Sequence, residues 1–380
     1  MTGGGSGGHI TPLLWLAREL KAQAPDCQIV YIGHKGDQFD SFQASSRDFD
    51  FTAFINAGKF RRYHGAGLAS GIFDLKTLLL NARDLFRLPG SIISSLKILR
   101  KFRPDVVFSK GGFVALPVGI AAKLRGVPVV THDSDATAGL ANRIIGRWAQ
   151  AHATGLPAEF YTYPKSSTYF VGIPIDERIK KVTPKLQRQI KRQLKLPVES
   201  VVLLVSGGGN GSRRLNDLTL AIAGELLEAN LALRIIHLSG IKHEAAVKEA
   251  YKALPKNDQK RIMVMGYSHD FYALCAAADL VVARAGATTL AELAAAGKAC
   301  VLIPAPFLAG GHQLQNARQL AARDAVAVTP EDTEPDELLV LIKELLSDDR
   351  RRFELARNLF ATAKPGAAAA LARLILKIAG

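Results

Sequence analysis

Cysteine is scarce in this chain. Only Cys27, Cys275 and Cys300 occur, far apart, without CxxC spacing and in apolar surroundings. That excludes a disulfide framework and reads as reduced core thiols of a cytoplasmic protein, to which no chemistry is assigned. Long hydrophobic runs are also missing. The longest, "VVLLV" (201–205) and "ACVLIPA" (299–305), have strand length, and none reaches the ~18 residues of a membrane helix. No signal peptide is expected. Neither a helix-turn-helix nor an aromatic platform is visible, so nucleic acid is not an expected partner. No DxD pair stands near the "GGGNGS" glycine loop (207–212), in keeping with a site there that needs no metal.

Acidic residues are sparse over 59–125, where 13 Lys or Arg stand against three acids within a chain of net charge +15. There, "LKTLLLNARDLFRLPGSIISSLKILRKFRP" interleaves Leu78, Leu79, Leu80, Phe86, Leu88, Ile92 and Ile93 with Arg83, Arg87, Lys97, Arg100 and Lys101. Such a mixture, on helices separated by a Pro-Gly break, suits an anionic membrane surface. A solvated basic face over ordinary core is the alternative.

Glycine is what the chain has in place. The glycines of "GGGSGGHITP" (3–12) run into "ITPLLWLARELKAQ" (10–23), whose Ile10, Leu13, Leu14, Ala17 and Leu20 recur at helical spacing. Glycines before a helix start let backbone amides approach an anion, and the helix terminus adds partial positive charge. Only Met1 and Thr2 precede this loop, so the strand that normally feeds it is expected to be missing.

Apolar β-rich runs alternate with helical periods: 28–33, 105–109, 127–131, 201–206, 233–239, 261–266, 279–284 and 299–304. Strands apolar on both faces and separated by helices predict parallel sheets in an α/β fold. After a boundary near 172–178 the pattern restarts with "VVLLVSGGGNGSRRLND", again strand, glycine turn and helix. Two Rossmann-like domains facing a common cleft follow from that repetition. In "ARAGATTLAELAAAGKACVLIPAP" (283–306) a strand ends at Arg284, a helix begins near Thr288, and Glu292 projects from its first turns. An acid there can take both hydroxyls of a ribose, or be a surface acid favoured by the helix dipole. His312, Gln313 and Asn316 cluster at a loop-to-helix entry, where they contact a sugar or cap the helix.

Together these stretches, with "FSKGGFVALPVGIAA" and "HDSDATAGLANR", resemble the MurG family of UDP-N-acetylglucosamine transferases, which convert lipid I to lipid II in peptidoglycan synthesis. The resemblance runs nearly end to end. It implies a GT-B fold of two Rossmann-like domains: 1–173 for the acceptor and membrane, joined by a C-terminal helix at about 364–380, and 174–363 for UDP-GlcNAc. It also implies inversion at the anomeric centre, no bound metal or cofactor, and a peripheral position on the cytoplasmic face of the cell membrane.

On the donor side it implies Gly207, Gly208, Gly209, Asn210, Gly211 and Ser212 for the diphosphate, with Arg284, Ala287, Thr288, Thr289, Gln313 and Asn316 around the diphosphate or GlcNAc. Glu292 would meet the ribose. On the lipid I side it implies Gly4, Gly5, Ser6, Gly7, Gly8, Lys110, Gly111, Gly112, Asp135 and Asn142. His9 or Asp133 would take the proton from the acceptor hydroxyl, His9 being slightly favoured because it titrates near neutrality. Arg213 would help meet the leaving-group charge.

The chain departs from the family pattern at Asp133, where Glu is usual, at Gly209, where Ser is usual, and at Ile173 and Asp176. These departures leave room for a transferase with another lipid-linked acceptor, or a non-catalytic nucleotide-sugar binding homologue. A UDP-GlcNAc epimerase of related fold is a further alternative.

Overall fold

The computed structural model describes residues 1–4, 7–36, 48–59, 75–268, 270–306 and 311–380. The chain divides into two compact units, one holding residues 1–177 and 364–380, the other 178–306 and 313–363.

The first unit carries β1 (Val30–His34), β2 (Phe51–Ile55), β3 (Val107–Ser109), β4 (Val129–Asp133), β5 (Ala151–Thr154) and β6 (Thr168–Phe170). All pair in parallel, as β1-β2 and as β3-β4-β5-β6. The strand expected to be missing is present in abbreviated form. Thr2 forms parallel bridges to Ile32 on one side and Ser109 on the other, its N–H donating to Phe108 O at 2.8 Å and its carbonyl accepting Lys110 N–H at 2.9 Å. Two residues thus stitch the two ladders into one sheet, because a central position needs only a few backbone groups to satisfy both neighbours.

Side chains along β4 alternate between two cores. Val130 joins Leu13, Leu16, Tyr31 and Phe108 under the Gly7–Gln23 and Ala367–Ala379 helices, while Val129 joins Ile32, Leu99, Val118 and Ile145 on the opposite face. A sheet covered on both sides is what the apolar runs require. The Leu75–Phe102 helix is continuous through Pro89, where a Pro-Gly break was expected. Proline removes one intrahelical bond, while beyond it Ser91 donates to Asn56 O at 2.8 Å and Leu99 packs into the core, holding the helix to the sheet.

The second unit has six parallel strands: β7 (Val201–Ser206), β8 (Leu233–Leu238), β9 (Ile262–Met265), β10 (Leu280–Ala283), β11 (Cys300–Leu302) and β12 (Ala327–Val328). Their order is β12-β11-β10-β7-β8-β9. The topology reverses beside β7, so the carboxyl ends of β7 and β10 flank the switch point at which open α/β sheets bind ligands. Leu203 and Val205 feed one core, Val202 and Leu204 the other.

Candidate functional site

The second unit's glycine turn leaves β7 at Ser206. Gly208 and Gly211 have φ of +81° and +72°, a region L side chains avoid. A Cβ on Gly211 would lie 2.3 Å from Ser239 O, and one on Gly207 would lie 2.4 Å from Ser212 N. The turn is therefore closed backbone to backbone, which only glycine permits. Ser212 caps the Arg213–Ala229 helix, its Oγ accepting Leu215 N–H at 3.3 Å. Gly209 and Asn210 are exposed at the tip. The helix is tied to β8 by Asn216, which donates to Ser239 O at 3.0 Å and meets His237 Nε2 at 3.0 Å. Burial lowers His237 to about 4, so the ring is neutral at physiological pH.

Arg284, read from the sequence as a donor contact, is committed inside the protein. Its guanidinium bonds Ser212 Oγ, Ile303 O and the carboxylate of Glu331. The buried fork has found internal acceptors, as a desolvated charge must. Gln313 and Asn316 likewise act as braces for loops at the sheet's carboxyl edge. Gln313 Oε1 accepts Ala305 N–H at 3.0 Å after β11, and Asn316 Nδ2 donates to Ala285 O at 3.1 Å after β10. Ala287 opens the Ala287–Ala296 helix behind Gly286. Thr288, Thr289 and Glu292 follow half-buried on its first turns. After burial, the charge of Glu292 is the second influence raising the Tyr267 phenol, which places an acid and an aromatic hydroxyl at one end of this sheet.

In the first unit Gly4 follows the Thr2 stub, while Gly5, Ser6 and the side chain of His9 lie outside the described residues. Gly7, Gly8 and His9 belong to the first turn of a helix that starts three residues earlier than the periodicity predicts. After β3, Gly111 and Gly112 adopt φ of +89° and +81°. Lys110 is buried, donates from Nζ to Ser134 Oγ at 2.9 Å, and is lowered to about 8 by burial, against the pull of Asp133 and Asp135.

Asp133, named from the sequence as one of two candidate bases, has both carboxylate oxygens hydrogen-bonded. Its Oδ1 accepts Gly139 N–H at 3.0 Å and Asn142 Nδ2 at 3.1 Å, and its Oδ2 accepts the Tyr163 hydroxyl at 2.8 Å. Burial raises its pKa while these three donors pull the other way. One oxygen therefore holds the end of the 134–139 loop and the helix after it, and the other holds Tyr163. Asn142, expected to contact acceptor, is fully buried. Its Nδ2 also serves His132 O, and its Oδ1 accepts from Ser109 Oγ at 2.7 Å. Asp135 stays half-buried at the loop's start, its carbonyl held by Tyr161 Oη at 2.8 Å. His132 is buried with Nε2 at 2.8 Å from Gly172 O, and burial lowers it to about 3.

Tyr163, Ser134, Arg214 and Glu331 were not singled out from the sequence. Each becomes relevant through a partner 24 to 119 positions away, and no local spacing announces that.

Two parallel sheets, each with positive-φ glycines following a strand (Gly111 and Gly112 after β3, Gly208 and Gly211 after β7), have the Rossmann-like architecture of the GT-B glycosyltransferase class. Family models agree. The Glycosyltransferase family 28 N-terminal domain matches residues 1–154 and the Glycosyltransferase family 28 C-terminal domain matches residues 202–371. A UDP-N-acetylglucosamine--N-acetylmuramyl-(pentapeptide) pyrophosphoryl-undecaprenol N-acetylglucosamine transferase of Desulforudis audaxviator is 32% identical over 100% of this chain and 98% of its own. The crystal structure of Acinetobacter baumannii MurG superposes with a TM-score of 0.72 at 26% identity, covering 99% of this chain and 98% of that one. The chain belongs to the MurG family. A UDP-GlcNAc 2-epimerase of Neisseria meningitidis, bound to UDP-GlcNAc, has a TM-score of 0.66 at 12% identity over 99% of this chain and 98% of that one, and shares the fold alone.

Proposed function

We infer that this protein transfers GlcNAc from UDP-GlcNAc to the MurNAc 4-hydroxyl of lipid I, giving lipid II for peptidoglycan synthesis. The carrying observation is the closed 207–212 turn at the carboxyl end of β7, in a chain aligned over its whole length with transferases named for that reaction. Backbone N–H groups of the turn and the N-terminus of the Arg213–Ala229 helix receive the diphosphate and the charge left on departing UDP, without a metal. Glu292 receives the ribose hydroxyls, and Thr288 and Thr289 border the diphosphate or sugar. On the acceptor side, the 110–112 and 134–139 loops meet the lipid pyrophosphate. His9 takes the hydroxyl proton, a role favoured by the commitment of both Asp133 oxygens to internal donors.

The acceptor's polyprenyl chain stays in the bilayer, so the enzyme works as a peripheral protein on the cytoplasmic face. No helix among the described residues is long and apolar enough to cross a membrane. The Leu75–Phe102 helix offers a docking face: Leu79, Leu85, Phe86 and Ile93 are exposed beside Lys97, Arg100 and Lys101. Incubation with radiolabelled UDP-GlcNAc and a lipid I analogue is expected to move label into a disaccharide lipid. Label appearing only in free sugar or an epimer would overturn this reading.

A further inference from the structure

We propose that Glu331 and Arg284 are positioning residues for the donor half of the reaction, acting through the hydroxyl of Ser212. The proposal rests on the donor-site reading above.

Arg284 retains 8% exposure, and its fork is divided among named acceptors. Nε and Nη2 donate to Ser212 Oγ at 3.1 and 2.5 Å, Nη1 donates to Ile303 O at 2.8 Å, and Glu331 takes Nη1 and Nη2 with its two carboxylate oxygens. Leu215 N–H adds a further donor to the same Ser212 oxygen. A serine hydroxyl has two lone pairs and one proton. With its acceptor side filled by guanidinium and backbone N–H groups, Ser212 directs its proton away from them. An oxygen that accepts from a cation is also a stronger donor, because the bonds polarise one another.

Ser212 is the only hydroxyl side chain in the 207–212 turn. The ligand oxygen that fits it is an acceptor without a proton, such as a diphosphate oxygen of a nucleoside diphosphate. Glu331 has two tasks here. It orients the guanidinium by a bidentate pair, and it offsets the arginine's charge so that Arg284 acts as a brace. Arg214 fixes the Glu331 segment in turn, donating to Glu331 O at 3.1 Å and Thr333 O at 2.5 Å.

The test is a double-mutant cycle on UDP affinity, measured by calorimetry on the full chain. Ser212→Ala and Glu331→Gln are each expected to raise the Kd for UDP about five- to tenfold, and the double variant to bind no more weakly than Ser212→Ala, because coupled residues are not additive. Ser212→Thr, which keeps the hydroxyl, is expected to restore binding; this arm stands even where Glu331→Gln fails to fold, as judged by its melting curve. Wild-type affinity in folded Glu331→Gln, additive losses in the double variant, or equal losses in Ser212→Thr and Ser212→Ala would each overturn the proposal. UDP bound equally by all variants removes the positioning role and leaves the donor reading intact, whereas a wild type that binds no UDP removes both.

Discussion

The Tyr163 hydroxyl donates to Asp133 Oδ2 at 2.8 Å across 30 residues of sequence, closing the carboxylate off from one side while Gly139 and Asn142 close it from the other. Tyr163 is itself held by stacking on His152, the ring centroids 4.0 Å apart. The acid that follows His132 is thus an anchor for the 134–139 loop. Asp133→Ala removes the acceptor shared by Gly139, Asn142 and Tyr163 and is expected to cost about 2 kcal/mol of stability, seen as a lowered melting temperature. An unchanged melting temperature would contradict the anchoring role.

His9 is expected to show the opposite pattern. His9→Ala should lower kcat by about 100-fold with little change in stability, the usual scale for losing a general base. The acidic limb of the kcat profile should vanish with it. A retained limb in the variant would return the proton transfer to another group.

Donor recognition is expected to rest on Glu292. Losing a carboxylate that takes two ribose hydroxyls leaves polar groups unpaired, and Glu292→Ala should lose on the order of 2–4 kcal/mol in kcat/KM for UDP-GlcNAc. Steady-state kinetics with varied donor check this, and unchanged constants would sink the assignment.

We expect the activity to be independent of divalent metal, since in the proposed function backbone amides and a helix terminus are to meet the diphosphate charge. Turnover in excess EDTA should equal that with Mg²⁺. Loss of turnover in the chelator, restored by Mg²⁺ or Mn²⁺, would require a different account of the leaving group.

The proposed membrane docking is expected to divide into two separable contributions. Phe86 is 85% exposed and Ile93 54%, whereas Arg83 and Arg87 lie 3.3 and 3.5 Å from the buried carboxylate of Asp84 and are partly neutralised. Lys97→Glu/Arg100→Glu should therefore remove the salt-sensitive part of binding to anionic liposomes, at about 1 kcal/mol per charge. Phe86→Asp/Ile93→Asp should remove the salt-insensitive part. Co-sedimentation across ionic strength distinguishes them, and equal binding by all three proteins would make the helix face a solvated one. Activity on a short water-soluble acceptor should survive in both variants.

The class of fold was legible because it is written locally. Eight apolar runs of strand length, all of which form strands, could be buried on both faces only between helices, and the 207–211 glycines marked the turn that leaves β7. β2, β5, β6 and β12 escaped notice: "AHAT" of β5 has little β-branched character, and β2 exposes most of its residues, so neither stands out as a buried run. The start of the sheet was decided by tertiary pairing, since Thr2 becomes a strand only because Ile32 and Ser109 lie on either side of it. The same holds for the site. Residue type and motif identified Asp133, Asn142 and Arg284 as polar groups of consequence. Only the fold could assign their hydrogen bonds, because the partners that fill them, Tyr163, Ser109 and Glu331, are brought near by chain crossings that no local spacing encodes. A buried polar side chain must be satisfied wherever the nearest donor or acceptor happens to be, and that is a property of three-dimensional packing.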